Sequence, residues 1–249
     1  MQWQQEFELA KTAAKIAGEC LRKINRSDIL SDSGRDIKHQ ADIDSEQLII
    51  ETLQTLNHPV LAEESGEHGI FSEDAPYWVI DPLDGTLNYS YTIPLCCVSI
   101  ALWKQDTPIL GVIYDFIHDE LFTGIVGQGA WCNEKPIIVN KTTEFNQAIL
   151  ATGFPVNRDF SDQAIQNFVK QIQAFKKVRL LGSAALSLAY VAYGRIDAYK
   201  EENIMFWDVA AGIALVKAAG GFVAYKHSQT KKFAKNVNAG EIFKANDSL

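Results

Sequence analysis

A chain of 249 residues with 47% hydrophobic and 22% charged side chains has the make-up of an ordinary soluble globular protein, long enough to bury a substantial core in one large domain or two small ones. Its 31 acidic residues outnumber the 23 basic ones, and the net charge of −8 repels polyanions. Neither unspecific nucleic-acid binding nor attachment to an anionic membrane is expected.

Helical spacing of Leu9, Ala13, Ile16, Cys20 and Leu21 predicts an amphipathic helix from about Gln5 to Lys23. The polar, mixed-charge start MQWQQEFELAK is unlike a secretory leader, and no 18 apolar residues run together, which points to a cytoplasmic protein. A second helix is predicted over SEQLIIETLQTL, Ser45 to Leu56. Apolar runs follow at PVLAEES, YWVID, CCVSIALW, PILGVIYD and ELFTGIV, separated by Gly, Pro and Asp, and read as strands of a mostly antiparallel sheet. Beyond KPIIVNKTTEFNQ the pattern changes. Helices near 162–176, from Ser183, and from Trp207 to Ala219 alternate with short strands at VRLLG, IDAYK and GGFVAY, as in an α/β layer. The expected organisation is an N-terminal α+β half over residues 1–142 and a C-terminal α/β half over residues 143–249. Cys20, Cys96, Cys97 and Cys132 show no C-x-x-C spacing and read as free thiols in a reducing compartment.

Four acidic groups stand out: Asp36 and Asp42 in RDIKHQADID, Glu63 and Glu64 in LAEESGE, Asp81 and Asp84 in VIDPLDGT, and Asp208 in FWDVAAG. The second and third directly follow apolar runs, which puts their carboxylates at the C-terminal ends of strands, where open sheets place their sites. Pro82 fixes its own φ and pushes Asp81 toward an extended conformation. Gly85 removes a side chain where a ligand or another backbone would approach. Thr86 can open a helix whose first N–H groups suit a phosphate. Carboxylates gathered with few His or Cys nearby favour Mg²⁺ or Mn²⁺ over zinc, and no histidine pair shows H-x-x-x-H spacing. Acid-built Mg²⁺ sites commonly handle phosphate, two ions clamping the attacking and leaving oxygens of a phosphoryl displacement.

DPLDGTLNY, with AEESGE upstream and WDVAAG downstream, resembles the inositol monophosphatase family of Mg²⁺-dependent, Li⁺-sensitive phosphatases. GVIYD, GQGAW, LLGSAAL and GRIDAY fall in the family's order as well, so the likeness spans essentially the whole chain. The resemblance implies a layered αβαβα sandwich and a homodimer. It implies metal ligation by Glu63, Asp81, Asp84 and Asp208 with the backbone carbonyl of Leu83, and pairing of Asp42 with Thr86 to activate the attacking water. Glu64 would support the site from behind, and the N–H groups of Gly85 and Thr86 would hold the phosphate. Gly182, Ser183 and Ala184 would line the pocket for the alcohol, with Glu201 accepting from a sugar hydroxyl, while Trp207 packs beside the metal acid.

The implied activity is release of phosphate from a small phosphorylated polyol by metal-activated water, without a phosphoenzyme. GTLNY is closer to the inositol enzymes' GTTNF than to the GTKEF of the 3′-phosphoadenosine phosphatases, which favours inositol 1-phosphate. Adenosine bisphosphate, histidinol phosphate and fructose 1,6-bisphosphate stand as the family's other substrates. Some bacterial relatives look like accessory factors of the transcription machinery, where protein partners matter more than hydrolysis. One departure concerns DIKHQAD, where His39, preceded by Lys38, replaces the threonine of many members.

Overall fold

The chain opens with helix α1 (Gln4–Lys23), a hairpin of β1 (Ile29–Ser33) and β2 (Asp36–His39), and helix α2 (Gln40–Leu53). A second hairpin, β3 (Val60–Ala62) and β4 (Gly66–His68), precedes β5 (Tyr77–Asp84) and the short helix α3 (Thr86–Ser90). A meander of β6 (Cys97–Lys104), β7 (Thr107–Asp115), β8 (Glu120–Ile125), β9 (Gly129–Cys132) and β10 (Lys135–Ile137) follows. Then come β11 (Ile149–Ala151), α4 (Asp162–Gln173), β12 (Lys177–Arg179), α5 (Ala184–Tyr193), β13 (Ala198–Met205), α6 (Phe206–Ala218), β14 (Val223–His227) and β15 (Ala234–Ala239). This computed structural model describes residues 2–23, 29–33, 36–154, 160–229 and 232–244, with side chains described outside 24–39. The side chains of Asp36, Lys38 and His39 therefore lie outside the described residues.

Among the described residues the strands form the β1–β2 pair, an eight-stranded sheet in the order β10-β9-β8-β7-β6-β5-β3-β4, and a five-stranded sheet in the order β12-β11-β13-β15-β14. In the larger sheet β3 and β5 run parallel and the other neighbours antiparallel. In the smaller one β11 runs parallel to β12 and β13.

Period-two alternation sorts the strand side chains into layers. Trp78, Ile80, Val98, Ile100 and Leu102 face α1 and α2. Val79, Ala101, Trp103, Ile113 and Phe122 face α5 and α6, which also meet Tyr199, Val237 and Ala239 of the smaller sheet. Helices covered on both sides must be apolar nearly all round, as AALSLAYVAY and FWDVAAGIALVKA are. Leu150 and Ala198 then pack toward Ile172 of α4 and Phe175 just beyond it. The order is the expected αβαβα.

Helix α1 differs in its buried stripe, which is Phe7, Ala10, Ala13, Ala14, Ala17, Gly18 and Leu21, while Ile16 is 40% exposed. Short side chains let this helix lie close on the sheet, and the longer ones fall at its margin. Helix α2 begins five residues before the predicted start, because its buried face is polar at that end: Asp42, Ser45 and Glu46 precede Ile49 and Leu53. CVSIALW lies in core strand β6, and Cys97 and the preceding Cys96 are both buried. All four cysteines are free. No helix among the described residues is long and apolar enough to cross a membrane.

Candidate active site

An irregularity near the end of β5 decides where its acids point. Asp81 pairs with Ser99 of β6 and Asp84 with Cys97, so three steps on β5 match two on β6. This bulge brings Asp84 to the face of Asp81, toward α5 and α6, where three regular steps would turn it away. Pro82 has no N–H to lose from the ladder, which suits it to the bulge. Its carbonyl accepts from the Ser45 hydroxyl at 2.9 Å. Asp81 Oδ1 accepts the Leu83 amide at 2.9 Å and stiffens the turn. Gly85 follows at φ 87°, and a Cβ there would lie 2.8 Å from the Leu95 carbonyl oxygen. The space left by this glycine is taken by neighbouring backbone.

One face of α2 grips both acidic turns. The Thr86 hydroxyl lies 3.3 Å from Asp42 Oδ1 and 3.0 Å from the Leu83 carbonyl oxygen. Three and four residues after Asp42, Ser45 binds the Pro82 carbonyl and Glu46 accepts the amides of Glu64 and Ser65 at 2.9 and 3.0 Å. Sequence reasoning named Asp42 and passed over Ser45 and Glu46. The available signal was the spacing 42, 45, 46, 49, 53, one continuous helical face.

Glu63, Asp81 and Asp208 each bring a carboxylate oxygen within 4.8 Å of the others. Glu63 follows β3, and Asp208 enters from the first turn of α6. Asp84 is anchored alongside: its Oδ2 accepts the Ser183 hydroxyl at 2.5 Å and the Ala185 amide at 2.7 Å. The start of α5, where helix amides lack internal partners, thus faces an anion. Ser183, 4% exposed, also caps that helix by accepting the Leu186 amide at 3.2 Å. Burial pushes the Glu63 carboxyl up to about 8, and Asp42, Glu64 and Asp84 add to the rise. Burial raises Asp81 and Asp208 well above the usual carboxylate range, with the other acids adding to it. At Asp84 burial raises the carboxyl to about 6, held back by the hydrogen bonds from Ser183 and the start of α5. Carboxylates crowded in this way call for a cation, and their oxygen-only donor set fits Mg²⁺ or Mn²⁺.

The residues assigned to the alcohol side lie nearby. Asn88 Nδ2 donates to the carbonyls of Leu95 and Leu181 at 2.8 Å each, fixing α3 against the approach to Gly182. Ala184 is buried in the first turn of α5. Glu201 is 8% exposed on β13, and its charge contributes to the rise at Asp208. Glu64 is half-buried, its amide taken by Glu46. Trp207 packs against Phe233, their ring centroids 6.2 Å apart. A cavity of about 810 Å³ lies elsewhere, between α1 and β8–β9, with Phe7, Lys11 and Trp131 in its wall.

Known proteins carry the same architecture. The chain is 39% identical over 225 residues to an inositol-1-monophosphatase of Synechocystis sp., a match covering 88% of this chain and 78% of the relative. It is 39% identical over 221 residues to a protein of Xylella fastidiosa named Nus factor SuhB, covering 86% and 79%. The solved structure of inositol monophosphatase from Anabaena (Nostoc) superposes with a TM-score of 0.85 at 37% identity, covering 99% of this chain and 94% of that one. Residues 2–246 match the inositol monophosphatase family, and the chain therefore belongs to that family and is a phosphoric monoester hydrolase.

Proposed function

We propose that this enzyme uses Mg²⁺, with Mn²⁺ as a substitute, to hydrolyse a small phosphorylated polyol, inositol 1-phosphate above all, to the alcohol and inorganic phosphate. The observation that carries the reading is the convergence of Glu63, Asp81 and Asp208 within 4.8 Å from three separate elements. Glu63, Asp81, Asp84, Asp208 and the Leu83 carbonyl are the groups that would hold the ion. Bound there, the cation supplies Lewis-acid charge to the phosphoryl oxygens and eases ionisation of water.

The chain's own side chains account for the rest. Asp42, linked to the Thr86 hydroxyl, orients the attacking water and takes its proton. Glu64 sits behind, in the turn that Glu46 holds. The amides of Gly85 and Thr86 begin α3, where the first N–H groups of a helix look outward, and they bind the phosphate. Gly182, Ser183 and Ala184 wall the alcohol pocket, and Glu201 accepts from one of its hydroxyls. Residues 1–142 and 143–249 form two halves with the site between them. We assign the protein to the cytoplasm as a homodimer.

Initial rates on inositol 1-phosphate, adenosine bisphosphate, histidinol phosphate and fructose 1,6-bisphosphate, each with and without Mg²⁺ and Li⁺, test this. Fastest release from the inositol ester, dependent on Mg²⁺ and depressed by Li⁺, is expected. Equal sluggishness on all four would overturn the substrate, and indifference to Mg²⁺ the metal. A second reading is favoured by the relative named Nus factor SuhB: a protein-binding role beside transcription. Rescue of a gene deletion by a metal-site mutant would make binding the physiological role.

A further inference from the structure

Strand β13 carries a buried phenol to Glu201. Tyr199 and Glu201 are two residues apart, so both side chains stand on one face of the strand. The Tyr199 hydroxyl donates to Glu201 Oε2 at 2.9 Å. Its ring is 1% exposed, in the core shared by α5, α6 and the smaller sheet. A phenol buried this fully needs a partner for its O–H, and a carboxylate is the strongest acceptor a protein can offer. Burial, then the charge and hydrogen bond of Glu201, keep the phenol protonated, which makes Tyr199 a permanent donor.

Two backbone features confine the same carboxylate. The Thr152 hydroxyl donates to the Lys200 carbonyl at 2.6 Å and draws the exit of β11 along β13. At the next residue, Gly153, a Cβ would lie 2.7 Å from each carboxylate oxygen of Glu201, so any side chain there would displace it. Beyond Glu201 the pairing with β15 slips before Ile204, and Asn203 takes φ 59° with its amide on Asn236 Oδ1 at 2.9 Å. Bulges of this kind re-aim a strand's end beside a site.

We infer that Tyr199 is a positioning residue for Glu201, and that Tyr199, Gly153 and Glu201 together select esters whose alcohol bears a free hydroxyl over those whose alcohol has none. This rests on the reading of Glu201 as hydroxyl acceptor given above. A carboxylate has about four acceptor positions. Tyr199 fills one and thereby fixes the plane in which the carboxylate meets the alcohol, while an ester lacking a free hydroxyl gains nothing from the arrangement.

The test compares inositol 1-phosphate with phenyl phosphate in the Mg²⁺-loaded enzyme. In Tyr199→Phe the ratio of kcat/KM for the two esters is expected to fall about tenfold, the worth of one hydrogen bond to a charged group, with the loss carried by KM on the polyol ester. Parallel loss on both esters, or none on either, would overturn the proposal. Gly153→Ala displaces the carboxylate without touching the phenol and should move the ratio the same way, so it decides the matter if Tyr199→Phe does not fold. A crystal structure of Tyr199→Phe with the Glu201 carboxylate unmoved would also refute positioning, whatever the substrate. A wild-type enzyme that does not favour the polyol ester would instead sink the acceptor reading of Glu201 itself, before any variant is made.

Discussion

The segments that end β5 and β13 are built alike and charged differently. Each slips its register by a bulge, and the charges of Asp84 and Glu201 both add to the rise at Asp208. At β5, Asp81 and Asp84 meet Glu63 and Asp208; burial raises all four, and repulsion from neighbouring acids adds to the rise at Glu63, Asp81 and Asp208. At β13 the buried acid Glu201 accepts the Tyr199 hydroxyl from within the fold, while its neighbour Glu202 is exposed. On the proposed reading the first region would be completed by an ion from solution and governed by pH and cation supply. The second comes ready-made and is governed by shape.

Removing one crowded acid breaks the contrast most sharply. Asp81→Asn is expected to lower phosphate release by at least about a thousandfold, because a lost ligand forfeits several kcal/mol of transition-state stabilisation. The same change should leave Tm in cation-free buffer unchanged or raised, since it relieves repulsion. A variant with near-normal Mg²⁺-dependent turnover would remove Asp81 from the chemistry.

Proton linkage sharpens the contrast at the next level. The folded Glu63 carboxyl holds its proton up to about 8 against an ordinary 4.5, so across that window the folded chain binds more protons than the unfolded one. Stability without divalent cations should therefore fall as pH rises from about 4.5 to about 8, with Asp84 contributing up to about 6. Added Mg²⁺ should restore it, most at the alkaline end. Urea melts at pH 5 and pH 8, in EDTA and in Mg²⁺, check this; a flat EDTA profile would contradict the crowding.

A smaller effect is expected behind the cluster. Glu46→Ala leaves the Glu64 and Ser65 amides without their acceptor, loosening the turn that carries Glu63. Loss of such an orienting group should weaken Mn²⁺ affinity roughly 10–100-fold in calorimetric titration, with the fold retained. Unaltered affinity would show that the turn holds its shape unaided.

Much of this was legible in the residue order, for identifiable reasons. Glu63, Asp81 and Asp84 follow strong apolar runs, so their placement came from local pattern. Asp208 sits on a helix and stood out only as an acid; its place beside the others came from the resemblance in WDVAAG. Ser45, Glu46 and Tyr199 escaped notice because their partners lie on other elements or depend on the strand's facing, which no window of sequence displays. Helix α2 was started too late because its buried face turns polar where it meets the site. β11, β10 and β4 are three-residue strands too short to show alternation, and β15 reads AKNVNA, with buried Lys235 and Asn238 hiding an inner strand behind polar letters.

The fault in the β5 ladder also liberates main-chain oxygen. Within it the Pro82 and Leu83 carbonyls meet the hydroxyls of Ser45 and Thr86, off the interstrand pattern. Excising Leu83 would let the strand run true, return the Pro82 carbonyl to ordinary pairing and take away the oxygen that the Thr86 hydroxyl meets. The shortened protein would have a tidier sheet without the Leu83 carbonyl that the proposed ion site uses, an instance of regularity opposing function.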